Sequence, residues 1–150
     1  MASPNSKVIG LAVAGAVGGF LFGFDSSVIN GAVEAITKSF ELTTFLTGFT
    51  VAIALIGCAI GAYFAGRLAD RFGRIPIMLV GSVLFVVSSI GAGLATGVGE
   101  LILWRVLGGL GIGIASVIAP AYIAEVSPSG LRGRLGSLQQ LAITIGIFSA

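Results

Sequence analysis

Long stretches without charge constrain this fold more than any other feature of the sequence. Residues 42–66 and 75–99 carry no charged side chain, 8–33 contains only Asp25, and 101–124 contains only Arg105. As helices, such runs reach roughly 36 to 39 Å, enough to cross a hydrocarbon core of about 30 Å. Backbone groups in lipid must be satisfied within their segment, and the alternation of a barrel strand is absent. The sequence predicts an all-α integral membrane fold.

Four complete transmembrane helices and the start of a fifth follow from these runs. The predicted spans cover residues 8–33, 43–66, 75–97 and 101–124, and a truncated fifth covers 135–150. We expect the first span to be retained, because its apolar run is too long for a cleavable signal peptide. Because the fifth run stops within a helix, we expect this chain to be the front part of a longer protein.

Composition excludes several classes of function. Only 9% of residues are charged, which is too few for the surface of a soluble domain. With no His and a single Cys, histidine-based catalysis, multi-thiolate metal sites and internal disulfides are excluded, and we expect no metal or cofactor. No polar basic face exists for nucleic acid. The glycine-rich string 108–113 lies inside an apolar span, so it is not a dinucleotide loop.

The distribution of positive charge predicts the orientation of the chain. Lys38, in the connection between the first and second predicted spans, lies on the side of the membrane opposite to the N-terminus. The basic residues on the N-terminal side are Lys7, Arg67, Arg71, Arg74, Arg132 and Arg134. An excess of Lys and Arg marks the cytoplasmic side of membrane proteins. We therefore predict a multi-pass protein of the cell (plasma or inner) membrane with a cytoplasmic N-terminus.

Glycines recur one helical turn apart within the predicted spans. Such pairs let helix backbones approach closely in lipid, so we expect them at helix contacts of a generic kind. The sets are Gly15, Gly19 and Gly23; Gly57 and Gly61; Gly93 and Gly97; and Gly109 and Gly113.

Two charges, Asp25 and Arg105, lie inside predicted spans. A charged side chain at the centre of a membrane helix costs about 2.5 to 3.5 kcal/mol, so it indicates function. Asp25 lies roughly 12 Å and Arg105 roughly 6 Å below the predicted outer ends of their spans, depths that allow an ion pair. Burial favours the protonated carboxyl and a cation favours the ionised one. The pair is therefore either a proton-binding site or a permanent structural salt bridge.

Five blocks of sequence resemble the sugar porter branch of the major facilitator superfamily. In chain order they are 18–32 (GGFLFGFDSSVINGA), 66–74 (GRLADRFGR), 105–113 (RVLGGLGIG), 120–133 (PAYIAEVSPSGLRG) and 136–147 (GSLQQLAITIGI). The resemblance implies a transporter of two halves that works by alternating access. It places residues 1–150 in an incomplete N-terminal six-helix domain, with the C-terminal half missing.

The resemblance also implies roles for individual residues in transport. Asp25 corresponds to the acid of proton-coupled members, with Arg105 competing with the proton. Gln140 corresponds to a sugar-binding amide, Phe22 to an aromatic beside the sugar, and Thr144 lies one turn beyond Gln140 on the same face. Gln139 is expected to face a neighbouring helix. At position 147, where some proton-coupled members have a second Gln, this chain has Ile.

A cytoplasmic gate is the second site that the resemblance implies. Its charge network holds the gate closed in the outward-open state. The matching residues are Gly66, Asp70, Arg71, Gly73, Arg74, Glu125 and Arg132; Ile75 departs from the basic residue usual there. Solvated topology charges remain the alternative.

We therefore predict proton symport of a monosaccharide, with the sugar, the proton and the lipid bilayer as partners and no enzymatic activity. The alternatives are a passive sugar or polyol facilitator and a non-sugar transporter of the same superfamily. A membrane enzyme would need a carboxylate cluster that the sequence lacks, and a bundle serving only for assembly would leave Asp25 and Arg105 unexplained.

Overall fold

In the computed structural model, the described residues form five helices, in agreement with the predicted all-α fold. The structure describes residues 4–126, 130 and 132–150, with side chains at 16–125, 130, 133–134 and 136–150. In order the helices are α1 (Pro4–Ser39), α2 (Thr44–Phe72), α3 (Arg74–Leu94), α4 (Val98–Val126) and α5 (Arg132–Ser149). Among the described residues, four stretches are long and apolar enough to cross a membrane: Ala16–Ser39, Thr44–Phe72, Arg74–Leu94 and Val98–Glu125. The predicted number of complete spans, four, followed by a fifth helix, is confirmed.

The helices extend beyond most of the predicted apolar boundaries because polar side chains support their ends. On the last turns of α1, Lys38 Nζ donates to Glu34 Oε1 at 2.7 Å, and this exposed pair extends the helix past residue 33. Thr43 caps α2 by accepting from the backbone N–H of Leu46 at 3.4 Å. Three ends fall short of the prediction: α2 begins at Thr44 and not at 43, α3 ends at Leu94 and not at 97, and α5 ends at Ser149 and not at 150.

The chain forms two compact units, Met1–Val28 with Ala119–Ala150 and Ile29–Ile118, and both α1 and α4 run from one unit into the other. In the second unit, α4 contacts α2 and α3 through two glycine stripes. A Cβ at Gly109 or Gly113 would overlap the backbone of α2. A Cβ at Gly111 would lie 2.5 Å from the carbonyl oxygen of Gly81 on α3, and one at Gly108 would lie 2.7 Å from Ser88 Oγ. Glycine thus brings these backbones together where hydrophobic drive between helices is absent.

Small and branched side chains fill the core of the same unit. Its buried cluster consists of Ala65 and Ala69 from α2, Ile77 from α3, and Ile114 and Ile118 from α4. Many large apolar side chains of these helices point outwards instead, as expected for surfaces that meet lipid.

Not every glycine pair lies at a helix contact. Gly57 and Gly61 are buried against α4, as expected. For Gly93 and Gly97 the expectation was wrong, since no described atom lies within 4 Å of a Cβ built at either one. The physical reason is that α3 ends at Leu94, so Gly97 is not helical.

In the first unit, α1 and α5 cross at glycines. A Cβ at Gly23 of α1 would overlap the backbone of Ile143, and one at Gly146 of α5 would overlap the backbone of Phe20. Gly19 lies against Gln139, whose carbonyl oxygen and Cγ would be 2.9 and 3.3 Å from an added Cβ. Gln139 therefore faces a neighbouring helix, as expected. The surroundings of Gly15 lie outside what the structure describes.

Candidate functional site

Asp25 lies in the apolar part of α1, partly buried, on the side of the helix away from α5. It follows Gly23, which contacts α5, by two residues, and two helical residues correspond to a rotation of about 200°. Within two turns of Asp25, α1 carries further polar side chains at Ser26, Ser27 and Asn30. The carboxyl is thus part of a polar stretch in an otherwise apolar span.

Gln140 and Thr144 lie side by side on an exposed face of α5. Thr144 Oγ1 donates to the backbone carbonyl of Gln140 at 3.0 Å, so the hydroxyl proton is engaged while its lone pairs face outwards. The Gln140 amide is one residue, or about 100°, from Gln139, which contacts α1. Phe22 of α1 is partly buried, and its backbone lies one residue before Gly23 at the α5 crossing. The amide and hydroxyl together can donate to and accept from a polyhydroxylated ligand.

Arg105 lies on α4 between the two glycine stripes that position this helix. It precedes Gly108, which faces α3, by three residues, and Gly109, which faces α2, by four. These offsets place its side chain between both contacts, within about 60° of each. The preceding residue, Trp104, lies against Gly91, where an added Cβ would overlap the indole ring. Arg105 is partly buried, and the Nε atom of its guanidinium is buried.

The connection between α2 and α3 is a single residue, Gly73. Its φ of 94° and ψ of 153° lie in a region that is essentially restricted to glycine. Its N–H donates to the carbonyl of Ala69 at 2.9 Å, which closes α2 just before α3 begins. Asp70 and Arg74 flank the turn and form an ion pair, with Arg74 Nη2 3.7 Å from Asp70 Oδ1. The predicted loop motif is therefore almost entirely helical. Glycine is needed at position 73 because of the backbone conformation of this turn.

The other predicted gate residues are distributed around helix ends. Arg71 is exposed, with its guanidinium carbon 5.5 Å from the centroid of the Phe72 ring. Gly66 is helical and has open space where a Cβ would be, so nothing described requires glycine there. Glu125 is exposed on the last turn of α4 and not in a loop. The Arg132 side chain lies outside the described residues.

Sequence reasoning missed one cluster on α2. Arg67 Nη1 donates to the Tyr63 hydroxyl at 3.3 Å, and its guanidinium carbon lies 5.1 Å from the centre of that ring. The Tyr63 ring meets Phe64 edge to face at 5.1 Å. The signal was present in the sequence, since an aromatic residue four positions before an Arg places both on one face of a helix.

Metal chemistry finds no support in the described residues. Among them, no group of three or more His, Cys, Asp or Glu side chains could hold a metal ion.

The chain is similar to known sugar transporters along nearly its whole length. It matches the family model described as "Sugar (and other) transporter" over residues 11–150. It is 64% identical over 135 residues to the glucose transport protein of Synechocystis sp. (strain ATCC 27184 / PCC 6803 / Kazusa), covering 90% of this chain and 29% of that protein. It is 45% identical over 140 residues to the arabinose-proton symporter of Escherichia coli (strain K12), covering 93% of this chain and 30% of that protein.

A solved structure gives the same answer for the fold. The inward-open xylose transporter XylE from E. coli superimposes with a TM-score of 0.84 at 36% identity, covering 93% of this chain and 38% of XylE. The chain thus spans about a third of the length of the proteins it matches. These comparisons confirm the predicted resemblance to the sugar porter branch and the expectation that the chain is not an enzyme. This chain belongs to the sugar (and other) transporter family, as part of a multi-pass membrane protein.

Proposed function

We propose that the protein containing this chain carries a monosaccharide across the membrane together with a proton, by alternating access. One observation carries the proposal: Asp25 is a partly buried carboxyl within the apolar part of α1, in a chain similar to proteins named as proton symporters of arabinose and xylose. An ionisable residue within a membrane span marks an ion or proton pathway by default.

In this proposal Asp25 binds the transported proton and Arg105 competes with it. A carboxylate in lipid is stabilised either by a proton or by a cation. When Asp25 releases its proton, the carboxylate pairs with the Arg105 guanidinium. When Asp25 is protonated again, this pair breaks. The close packing of α4 at Gly108 and Gly109 supports this role, because it holds the backbone that carries Arg105 in place.

The proposed sugar site contains Gln140, Thr144 and Phe22. The exposed amide of Gln140 and the outward-facing lone pairs of Thr144 supply the hydrogen-bonding groups. Phe22 supplies an apolar ring of the type that borders ligand sites.

The proposed gate consists of the residues around the α2–α3 turn, Gly66, Asp70, Arg71, Gly73 and Arg74, with Glu125 and Arg132 from the next connection. The Asp70–Arg74 ion pair supports the proposal, since exposed pairs contribute only about 0 to 1 kcal/mol and can exchange partners during a conformational change. We also propose a plasma-membrane location with a cytoplasmic N-terminus, supported by the excess of Lys and Arg at these turns.

A passive facilitator is the second candidate, because the 64% identical relative is named a glucose transport protein, a name that covers facilitation as well as symport. Cells that express the full-length transporter are given radiolabelled hexoses and pentoses with and without a protonophore. Symport predicts that the sugar accumulates above its external concentration and that the protonophore reduces accumulation to equilibrium. Equilibration unaffected by the protonophore would instead support facilitation.

A further inference from the structure

An exposed stripe of cationic and aromatic side chains follows one face of α2 near its α3 end. Tyr63, Arg67 and Arg71 recur every four residues, and Phe64 lies beside Tyr63. Each of the first two precedes a buried alanine, Ala65 or Ala69, by two residues, which is a rotation of about 200°. The stripe therefore lies opposite the face with which α2 packs on its own unit.

The depth of the stripe matches the boundary between hydrocarbon and headgroups. α2 has 29 residues, or roughly 44 Å, so about 7 Å at each end projects beyond a centred hydrocarbon core of about 30 Å. Arg67 is five residues from the end at Phe72, roughly 7.5 Å, so its Cα lies at that boundary. Tyr63 lies one turn deeper, and Arg71 lies among the headgroups. Tyr at this level is typical of an interfacial aromatic belt.

The positive charge of the stripe is not neutralised by Asp70, the acidic residue beside it. The hydrogen bond of Arg67 goes to the neutral hydroxyl of Tyr63, and the Arg71 guanidinium stacks near the Phe72 ring. Asp70, the acidic residue on the last turn of α2, pairs with Arg74. Since a guanidinium has five N–H donors, most of those on Arg67 remain available for an oxyanion beside the ring.

We propose that this stripe binds the headgroup phosphate of an anionic phospholipid. Arg67 donates to the phosphodiester, Tyr63 and Phe64 contact the glycerol and upper acyl region, and Arg71 adds positive charge on the headgroup side. The proposal is independent of proton coupling and of the sugar, since it uses none of the residues assigned to either. It shares Arg71 with the proposed gate, so its test substitutes only Arg67 and Tyr63.

Native mass spectrometry of the full-length transporter, delipidated in detergent, tests the proposal. The protein is titrated with dioleoyl phosphatidylglycerol and, separately, with dioleoyl phosphatidylcholine. We expect tight adducts with the first lipid and weak ones with the second. Arg67→Gln should weaken the first phosphatidylglycerol adduct about fivefold, the contribution of one surface cation, and Arg67→Lys should retain most of it. Tyr63→Leu should weaken it about two- to fivefold.

Lys38→Gln is the matched control, because it removes one exposed cation from the opposite end of the α1–α2 hairpin. It should leave the affinity unchanged. Equal affinities for Arg67→Gln and Lys38→Gln would overturn the proposal, as would equal binding of the two lipids by the unmodified protein. If another segment of the transporter covers this face, Arg67→Gln will lower the melting temperature without changing lipid binding, and the proposal is then also wrong. Arg67→Lys and Tyr63→Leu keep the test decisive should Arg67→Gln fail to fold.

Discussion

Replacement of Gly111 by alanine tests the packing that positions α4 and the Arg105 side chain it carries. Gly111 is buried where α4 crosses α3. An added Cβ would lie 2.5 Å from the carbonyl oxygen of Gly81 and 3.0 Å from the backbone nitrogen of Phe85. Both obstacles are backbone atoms, so no side-chain rotation relieves the overlap, and the two helices must separate.

The magnitude follows from the distances. Ordinary van der Waals contact begins at 3.4 Å, so the carbonyl of Gly81 must recede by about 0.9 Å, an overpacking that typically costs about 1–3 kcal/mol. Alanine also has a higher intrinsic helix propensity than glycine, by about 1 kcal/mol. Gly48→Ala, inside α2, gains the same helix propensity without the overpacking cost, because no described atom lies within 4 Å of a Cβ added there.

Unfolding of the full-length transporter in mixed micelles of detergent and SDS, followed by far-ultraviolet circular dichroism, compares the two variants. We expect Gly111→Ala to have a free energy of unfolding about 1–3 kcal/mol below that of Gly48→Ala, since the helix-propensity gain is the same for both interior positions. Equal stabilities would refute the conclusion that backbone contact at this glycine fixes the distance between α3 and α4.

Three further variants test the turn, the sugar site and the gate. Gly73→Ala places a side chain at φ 94° and should lower the free energy of unfolding by about 1–3 kcal/mol in the same micelle titration. Gln140→Ala should raise the half-saturation concentration for sugar about tenfold through lost hydrogen bonds, whereas Gln139→Ala, which faces α1, should leave it nearly unchanged; similar shifts in both would contradict the proposed site. Asp70→Asn removes the pair with Arg74 and should slow net uptake while sugar binding, measured by calorimetry, is retained; unchanged turnover would exclude the gate role.

Much of the fold was predictable because lipid imposes simple constraints on a sequence. The uncharged runs identified all four spans, since a charge within hydrocarbon is costly wherever it occurs. Their ends were less predictable, because helices continue past the lipid when local pairs support them. The ion pair between Glu34 and Lys38 extends α1 in this way, and runs of hydropathy contain no information about it.

Glycine spacing was a partial guide to packing. It predicted a helix contact at Gly109 and Gly113, and these glycines lie against α2. The contacts of Gly108 and Gly111 with α3 follow another face of the same helix. Which faces are used depends on the crossing of three helices, a property that spacing within one helix does not encode. Gly93 and Gly97 have the same four-residue spacing, but α3 ends at Leu94, so Gly97 is not part of a helix.

For the candidate site, the sequence predicted which residues stand out but not the local structure around them. Asp25 and Arg105 stood out as charges in apolar surroundings, and Gln140 through the family resemblance. The sequence did not predict that the α2–α3 motif is helical on both sides of Gly73. A one-residue turn depends on the φ angle of that glycine, which only the structure shows. The stacking of Arg67 on Tyr63 was missed because a lone Arg near a span end was interpreted as a topology charge.

Sugar-driven proton movement in proteoliposomes tests the central claim most directly. The full-length transporter is reconstituted with a pH-sensitive dye inside the vesicles, and sugar is added outside without an imposed gradient. We predict acidification of the lumen with the unmodified protein and none with Asp25→Asn, while Asp25→Asn still exchanges labelled for unlabelled sugar. Acidification that persists in Asp25→Asn would contradict the assignment of this carboxyl as the proton carrier.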